Sequence, residues 1–309
     1  TIKEEGEIVV SAKLFLDIVR RLPEEIVFIE TDERMVTYIA CGKVNYQIVG
    51  MSSVEYPDLP SFEQTDRITL NAKILRDMIR QTVYAVSENT AKPIYTGSLY
   101  EIEDGVFKII AIDGYRMAIR SENVDSESKN RFVVPGKTQH EVLKLLTDDE
   151  ENTEIIIGQR HITFKIKNYR IISRLIEGTF IEYKSAIPKE TKTEVVINTR
   201  TIIDAVERMS LLNNDRIQSP VRCIFSDDEI KLSCTSAVGR ANDVISVPII
   251  GESVEIGFNN RYLLDALKNA DTDEIKLILN GSLTAMIVKP VKGDSYLSIV
   301  VPMRLANEN

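Results

Sequence analysis

Three groups of residues in this 309-residue chain have side chains that could do chemistry, and their spacing decides whether they can. Gly136-Lys137-Thr138 has the ending of a phosphate-binding loop, in which backbone N–H groups cradle phosphates and a lysine reaches them. The glycine such a loop requires five residues before Gly136 is Arg131, so the loop cannot form as written. Asp148, Asp149, Glu150 and Glu151 offer the oxygen donors of a hard cation, but a carboxylate run directly after a helix reads as a solvated acidic loop. The histidines, His140 and His161, lie far apart, and Cys41, Cys223 and Cys234 lack Cys-x-x-Cys spacing. A zinc site and a histidine-dependent mechanism therefore have almost no material, and an odd number of thiols points to a reducing compartment. The sequence predicts no catalytic residue, no metal and no cofactor.

The residues that do form a pattern are bases, and the pattern is a repeat. Five segments share one arrangement, beginning at Ser11 (SAKLFLDIVRRL), Asn71 (NAKILRDMIRQT), Pro135 (PGKTQHEVLKLL), Asn198 (NTRTIIDAVERM) and Asn259 (NNRYLLDALKNA). Their starts are 60, 64, 63 and 61 residues apart. Each reads as an amphipathic helix; Ser and Asn are good N-caps and Pro135 suits a helix entry. In the first copy Phe15, Ile18, Val19 and Leu22 share one face. Two positions past each start is a base: Lys13, Lys73, Lys137, Arg200 and Arg261. Four further on is an acid: Asp17, Asp77, Glu141, Asp204 and Asp265. Three beyond that, Arg20, Arg80, Lys144 and Lys268 restore a base in four copies, while the Asn198 copy has Glu207. Positions i, i+4 and i+7 share a helix face, so each helix carries a mainly basic stripe opposite its apolar one, laced by salt bridges worth a few tenths of a kcal/mol each.

Between the helices the period becomes two: Ile162, Phe164 and Ile166, then Ile230, Leu232 and Cys234, alternate with polar residues. Asp104-Gly105, Gly158-Gln159 and Asn280-Gly281 are turn signals between such runs. Each unit is thus a helix followed by roughly four antiparallel strands, and a unit of ~60 residues makes only a marginal core alone. Two units packed together form a plausible α+β domain. The Pro-containing stretches Val54 to Gln64 and Ile181 to Lys192 mark boundaries, giving domains over 1–58, 65–188 and 193–305. The first would hold a single unit, as expected if the N-terminal half of that domain is missing and Thr1 is a fragment or processed start.

Composition agrees with a globular protein: 43% hydrophobic and 28% charged residues, with no apolar run of the ~18 residues a membrane span needs and no secretory signal in the first twenty. The net charge of −9 is unevenly placed. The five helices together carry +6, which leaves −15 on the remainder. A basic helix surface on an otherwise acidic body suits sequence-independent contact with a nucleic-acid backbone on one face only. No dense Lys/Arg block and no helix-turn-helix pattern is present.

The helix-plus-sheet repeat with basic helices resembles the bacterial DNA polymerase III beta subunit family, the sliding clamps. The most specific pieces are Ile112-Asp113-Gly114-Tyr115-Arg116-Met117, like the family's Thr/Ile-Asp-Gly-His/Tyr-Arg-Leu/Met, and Val301-Pro302-Met303-Arg304-Leu305. The resemblance implies DNA-clamp (processivity-fold) domains and a homodimeric head-to-tail ring that encircles double-stranded DNA and tethers the replicative polymerase. It also implies a non-catalytic protein, opened and loaded by a separate clamp loader, in the bacterial cytoplasm at the nucleoid, with no membrane role. A first domain of full size would begin about sixty residues upstream of Thr1.

The same resemblance assigns sites. A cleft between the second and third domains, which accepts short linear motifs carrying Gln, Leu and Phe, would be walled by Tyr95, Ile112, Gly114, Tyr115, Arg116 and Met117. The interdomain linker would add Ile181, Ser185 and Ala186, and the C-terminal strand Ile299, Val301, Met303 and Arg304. An apolar cleft takes Leu and Phe anchors, with Arg and backbone groups fixing the peptide. Family members often have Pro, Arg and Val at the positions of Ile181, Ser185 and Ala186 and His at that of Tyr115, and Ala306 to Asn309 extend past the usual end. DNA would meet Lys13, Arg20, Lys73, Arg76, Arg80, Lys137, Lys144, Arg200, Arg261 and Lys268. The subunit contact would join the strand carrying Lys43, Asn45, Tyr46 and Ile48 to the third domain near Leu211 and Leu212.

Overall fold

The computed structural model describes residues 1–57, 64–147, 151–213 and 219–305. Asp148 to Glu150 and the C-terminal Ala306 to Asn309 lie outside them. The chain divides into two compact units, residues 1–61 and 62–309.

In the first unit, α1 (Ala12–Val19) is followed by β1 (Val27–Thr31), β2 (Val36–Cys41) and β3 (Val44–Val49), an antiparallel sheet in the order β1-β2-β3. Ser11 caps α1 by accepting from the N–H of Leu14, as its type predicts. The helix is shorter than its pattern implies: Leu22 lies past its end and Val19 is exposed. The core is correspondingly small, with Ile18, Ile39 and Ile48 at its centre and Val10, Phe15 and Leu22 around them. All five residues of β1 are exposed, the apolar Val27, Phe28 and Ile29 included.

The second unit runs β4 (Gln64–Asn71), α2 (Ala72–Val83), β5 (Gly97–Glu103), β6 (Val106–Ile112), β7 (Arg116–Asn123), β8 (Asn130–Pro135), α3 (Gly136–Leu145), β9 (Asn152–Gly158), β10 (His161–Ile166) and β11 (Tyr169–Arg174). It continues with β12 (Thr193–Asn198), α4 (Thr199–Ser210), β13 (Val221–Ser226), β14 (Glu229–Ser236), β15 (Gly239–Ser246), β16 (Ile249–Gly251), β17 (Val254–Phe258), α5 (Asn260–Lys268), β18 (Glu274–Leu279), β19 (Met286–Pro290) and β20 (Tyr296–Val300). The helices start where the repeat places them. Asn71, Asn198 and Asn259 each accept backbone N–H bonds from the first turn, whereas Pro135 enters α3 with no side-chain cap. Asp104 and Gly105, both at positive φ, make the tight β5–β6 turn their sequence calls for. Asn280-Gly281 instead opens a longer loop that reaches β19 only at Met286.

Strand pairing is what the period-two pattern could not supply. In the second unit the strand before each helix pairs with a strand of the neighbouring repeat, and only β12 also pairs with a strand of its own, the short β16. β4, which leads into α2, pairs with β9 beyond α3; β8, which leads into α3, pairs with β5 beyond α2. β12 and β17 make the same exchange around α4 and α5, pairing with β18 and β13. Each unit thus completes its neighbour's sheet, and two marginal units become one cooperative body. The cores follow: one gathers Leu75, Met78, Ile79, Phe107 and Phe164 under α2 and α3, the other Ile202, Val206, Phe225, Leu263 and Leu277 under α4 and α5. Cys41, Cys223 and Cys234 are free and buried, and burial pushes the Cys223 thiol up to about 12.

The two halves of this unit share a sheet. β7 pairs with β20 over five residue pairs, from Tyr296↔Arg120 to Val300↔Arg116, giving nine strands in the order β16-β12-β18-β19-β20-β7-β6-β5-β8. On the helix side of this seam the Tyr84 hydroxyl, just past α2, is hydrogen-bonded to Tyr296 (3.0 Å) and Ser298 (2.9 Å). Gln81 donates to the Asn269 carbonyl at 3.0 Å and accepts from Arg120 Nε at 2.8 Å. Small residues, Ala85, Ala111 and Ala118, let the α2 end approach the sheet closely. Tyr296 and Ser298 also bond to the carbonyls of Ala266 and Met117, so losing the Tyr84 hydroxyl leaves neither unpaired. We therefore expect Tyr84→Phe to cost about 1 kcal/mol in urea unfolding, against about 2–5 kcal/mol for Leu75→Ala, which empties a fully buried site.

Candidate functional site

The Ile112–Met117 motif folds into the turn that joins β6 to β7. Asp113 Oδ1 accepts the backbone N–H groups of Tyr115 (2.8 Å) and Arg116 (3.0 Å), and Gly114 sits at φ +95°, which a Cβ would strain. The turn aims Arg116 away from solvent. Its side chain, only 6% exposed, donates from Nε to Asp113 Oδ2 at 3.0 Å and from Nη1 to Asp265 on α5. Its guanidinium also lies over the rings of Tyr262 (4.6 Å) and Tyr84 (5.3 Å), and Tyr115 stacks on Tyr262 at 5.7 Å and 17°. Burial works against the charge on Arg116, but Asp265 and Asp113 outweigh it and raise its pKa further. Arg116 thus ties the two halves together across the seam. Two of its donor nitrogens, Nε and Nη1, are held by these carboxylates within the protein.

The opposite face of the seam is apolar. Four of the residues assigned to the cleft wall, Tyr95, Ile112, Met117 and Ile299, meet there in one cluster with Phe180 and Tyr183. Met117 (2% exposed) and Ile299 (3%) are sealed beneath the surface. Their inward direction follows from strand alternation: Arg116 and Ser298 face the helices, Met117 and Ile299 the other side. Exposed around the cluster are Tyr115, Gly114, Val301 and Arg304, with Met303 half-buried. The Val301 N–H donates to the Tyr115 carbonyl and the Met303 N–H to that of Gly257, so the chain end is pinned beside the motif turn. From the linker, Ile181, Ser185 and Ala186 are exposed next to the buried Phe180 and Tyr183. Sequence reasoning missed Tyr84, Asp113, Tyr262 and Asp265 as site builders. Asp113 was visible inside the motif; Tyr262 and Asp265 were visible only as an i, i+3 pair on one helix.

The basic stripe lies on the helices, and its bases differ in freedom. Lys13, Arg20, Lys73 and Lys137 are exposed, and Arg76 is half-buried. Ion pairs join Arg200 to Asp204 (2.8 Å), Lys144 to Glu141 (2.8 Å), Arg80 to Asp77 and Asp271, Arg261 to Glu88 (3.5 Å) and Lys268 to Glu207 on α4 (2.6 Å). Lys268 and its hydrogen bond hold Glu207 below the usual carboxylate range. Two of the repeated acids depart from the pattern: Asp17 faces Arg21, and Asp265 serves Arg116. Gly136-Lys137-Thr138 is the first turn of α3, with Lys137 exposed.

Of the residues assigned to the subunit contact, Lys43, Asn45 and Tyr46 are exposed at or near the edge strand β3, and Leu211 is 82% exposed. Ile48 packs in the core with Ile18 and Ile39, and Leu212 packs against the C-terminal core. β15, after the Leu211 turn, is likewise a sheet edge. Among the described residues no group of three or more His, Cys, Asp or Glu could hold a metal ion, and no helix is long and apolar enough to cross a membrane.

Comparison with known proteins places this architecture. Family models for the DNA polymerase III beta subunit match along the chain: the N-terminal domain at residues 1–60, the central domain at 69–182 and the C-terminal domain at 184–304. The beta sliding clamps of Halalkalibacterium halodurans and Bacillus subtilis are 34% and 32% identical, each over 98% of this chain and 82% of the relative. Among solved structures, the DNA polymerase sliding clamp of Bacillus subtilis superposes with a TM-score of 0.95 at 32% identity, covering 99% of this chain and 82% of that one. A structure described as a putative DNA polymerase III beta subunit from Eubacterium rectale gives 0.93 at 32%, covering 98% and 83%. Paired helix-plus-sheet units fused along a shared sheet are the fold of a DNA clamp. This chain belongs to the DNA polymerase III beta subunit family.

Removing Arg116 leaves Asp113 and Asp265 facing each other's charge without a counter-ion. We expect Arg116→Ala to cost about 2–3 kcal/mol in denaturant unfolding, below the ~3–5 kcal/mol for breaking a fully buried pair because Asp265 is partly solvated. Combined with Asp265→Asn, the loss should be clearly less than additive.

Proposed function

We propose that this protein is a non-catalytic sliding clamp that encircles duplex DNA in a head-to-tail dimeric ring and tethers the replicative polymerase. The observation that carries the reading is the repeated base at the head of each helix, Lys73, Lys137, Arg200 and Arg261, exposed on helices that the sheets hold in place. Such side chains contact phosphates without reading sequence, and their pairing with neighbouring acids keeps the grip weak enough to slide. In this reading residues 65–188 and 193–305 act as two clamp domains, residues 1–58 belong to a third, and the edges β3 and β15 are the surfaces that join subunits. The polymerase, the clamp loader and other clients would dock short Gln-, Leu- and Phe-bearing motifs in the apolar cleft at the seam, bounded by Tyr115, Ile181, Ser185, Ala186, Val301 and Met303. The cytoplasm, at the nucleoid, is where a replication clamp acts.

The test has two parts. With Lys73→Ala and Lys137→Ala combined, folding should be intact by thermal melting. The slope of log K against log salt for duplex DNA should become shallower by about 0.9 for each phosphate that is no longer neutralised. Loaded complexes should stay on closed circular DNA at high salt and run off the same DNA once it is linearised. Unchanged salt dependence would remove the helix stripe from the account, and equal loss from circles and linear DNA would remove encirclement.

A further inference from the structure

The segment between β11 and β12 supplies one wall of the cleft, and both apolar packing and one buried polar contact hold it to the sheet. Phe180 packs edge-on against Tyr95, ring centroids 5.7 Å apart. Tyr183 enters the outer face of the nine-stranded sheet and its hydroxyl donates to Glu101 Oε1 on β5 at 2.7 Å. Glu101 is a carboxylate only 6% exposed, in register across the strands with Arg131 on β8, whose Nε lies 3.9 Å from its second oxygen. Arg131 in turn approaches Glu182, the linker residue beside Tyr183, at 3.8 Å. Burial keeps the Tyr183 hydroxyl protonated and therefore a donor.

The exposed wall residues are coupled to this anchor by a short turn. Both the N–H and the hydroxyl of Ser185 bond to the Glu182 carbonyl, at 3.3 and 2.8 Å, so Ser185 and Ala186 move with Tyr183. A cavity of about 580 Å³ borders the linker, lined in part by Leu99, Phe132, Leu175 and Phe180. The buried polar anchor acts beside the apolar packing of Phe180 and Tyr183.

We propose that Tyr183 and Glu101 are positioning residues for the peptide cleft: their buried hydrogen bond fixes the linker wall carrying Ile181, Ser185 and Ala186 at the spacing that binding a Leu/Phe-bearing peptide requires. Neither side chain touches the peptide. The inference rests on the cleft proposed above. A preorganised wall saves the cost of ordering it on binding, so its loss appears in affinity before it appears in the fold.

The experiment is a titration of the full chain with a labelled Gln-Leu-x-Leu-Phe peptide, using Tyr183→Phe, Glu101→Ala, their double variant and Glu101→Gln. Tyr183→Phe and Glu101→Ala should each weaken binding about tenfold, and the double variant should be no weaker than the worse single one. Glu101→Gln keeps an acceptor for the hydroxyl and should bind within about twofold of the wild type. Amide exchange across residues 181–187 of the free protein should rise in the first two variants and stay unchanged in Glu101→Gln, a pattern that simple loss of stability would not give. Wild-type affinity in Tyr183→Phe, or additive losses in the double variant, would overturn the proposal. If one single variant fails to fold, the other and Glu101→Gln still decide it. Failure of the wild type itself to bind the peptide would instead reject the cleft.

Discussion

The two halves of residues 62–309 are joined by one antiparallel pairing, β7 with β20. The two strands are far apart in sequence and belong to different halves, yet their five residue pairs make a single sheet of nine strands. Side chains alternate across that seam, so it has two faces of different chemistry. One face holds the Arg116–Asp265 tie and the Tyr84, Tyr296 and Ser298 hydroxyls, against which the helices are set. The other holds the apolar cluster of Met117, Ile299, Phe180 and Tyr183, over which the linker lies. One pleated strand pair thus gives the footing both for the helix layer and for the apolar cluster on the opposite face.

The exchange of strands between units explains why the repeat has to come in pairs. A lone unit would lack a strand at its sheet and would expose apolar surface there. Among the described residues of the first unit, three strands and α1 surround Ile18, Ile39 and Ile48, and Val27, Phe28 and Ile29 of β1 face solvent. In the second unit the same building block, paired, seals more than twenty apolar side chains in one core alone. Stability here comes from reciprocity between repeats more than from any single repeat.

Much of this was legible in the sequence because it is local. Asn71, Asn198 and Asn259 announce their helices by capping chemistry that acts within three residues, and Asp104-Gly105 sets its own hairpin. The base at the second position of each helix, Lys13, Lys73, Lys137, Arg200 and Arg261, is exposed where the stripe predicts it. What stayed hidden is non-local. The direction of Arg116 depends on Asp265, a partner 149 positions away that reads in sequence as one more acid of the repeat. The burial of Met117, Ile299 and Ile48 depends on which strand faces which, and periodicity alone does not give partner strands. Tyr183 and Glu101 carry no motif at all; only the fold of the linker onto β5 brings them together.

The seam is therefore the place to measure. Hydrogen exchange of the β7 and β20 amides, followed in the free protein under native conditions, reports whether the two halves ever separate short of global unfolding. The account predicts that these amides exchange as slowly as those of the two flanking cores and share their denaturant dependence. Exchange of β7 and β20 through a separate, lower-energy opening, while both cores stay protected, would show that the halves are independent bodies and that the cleft between them is not fixed by the sheet.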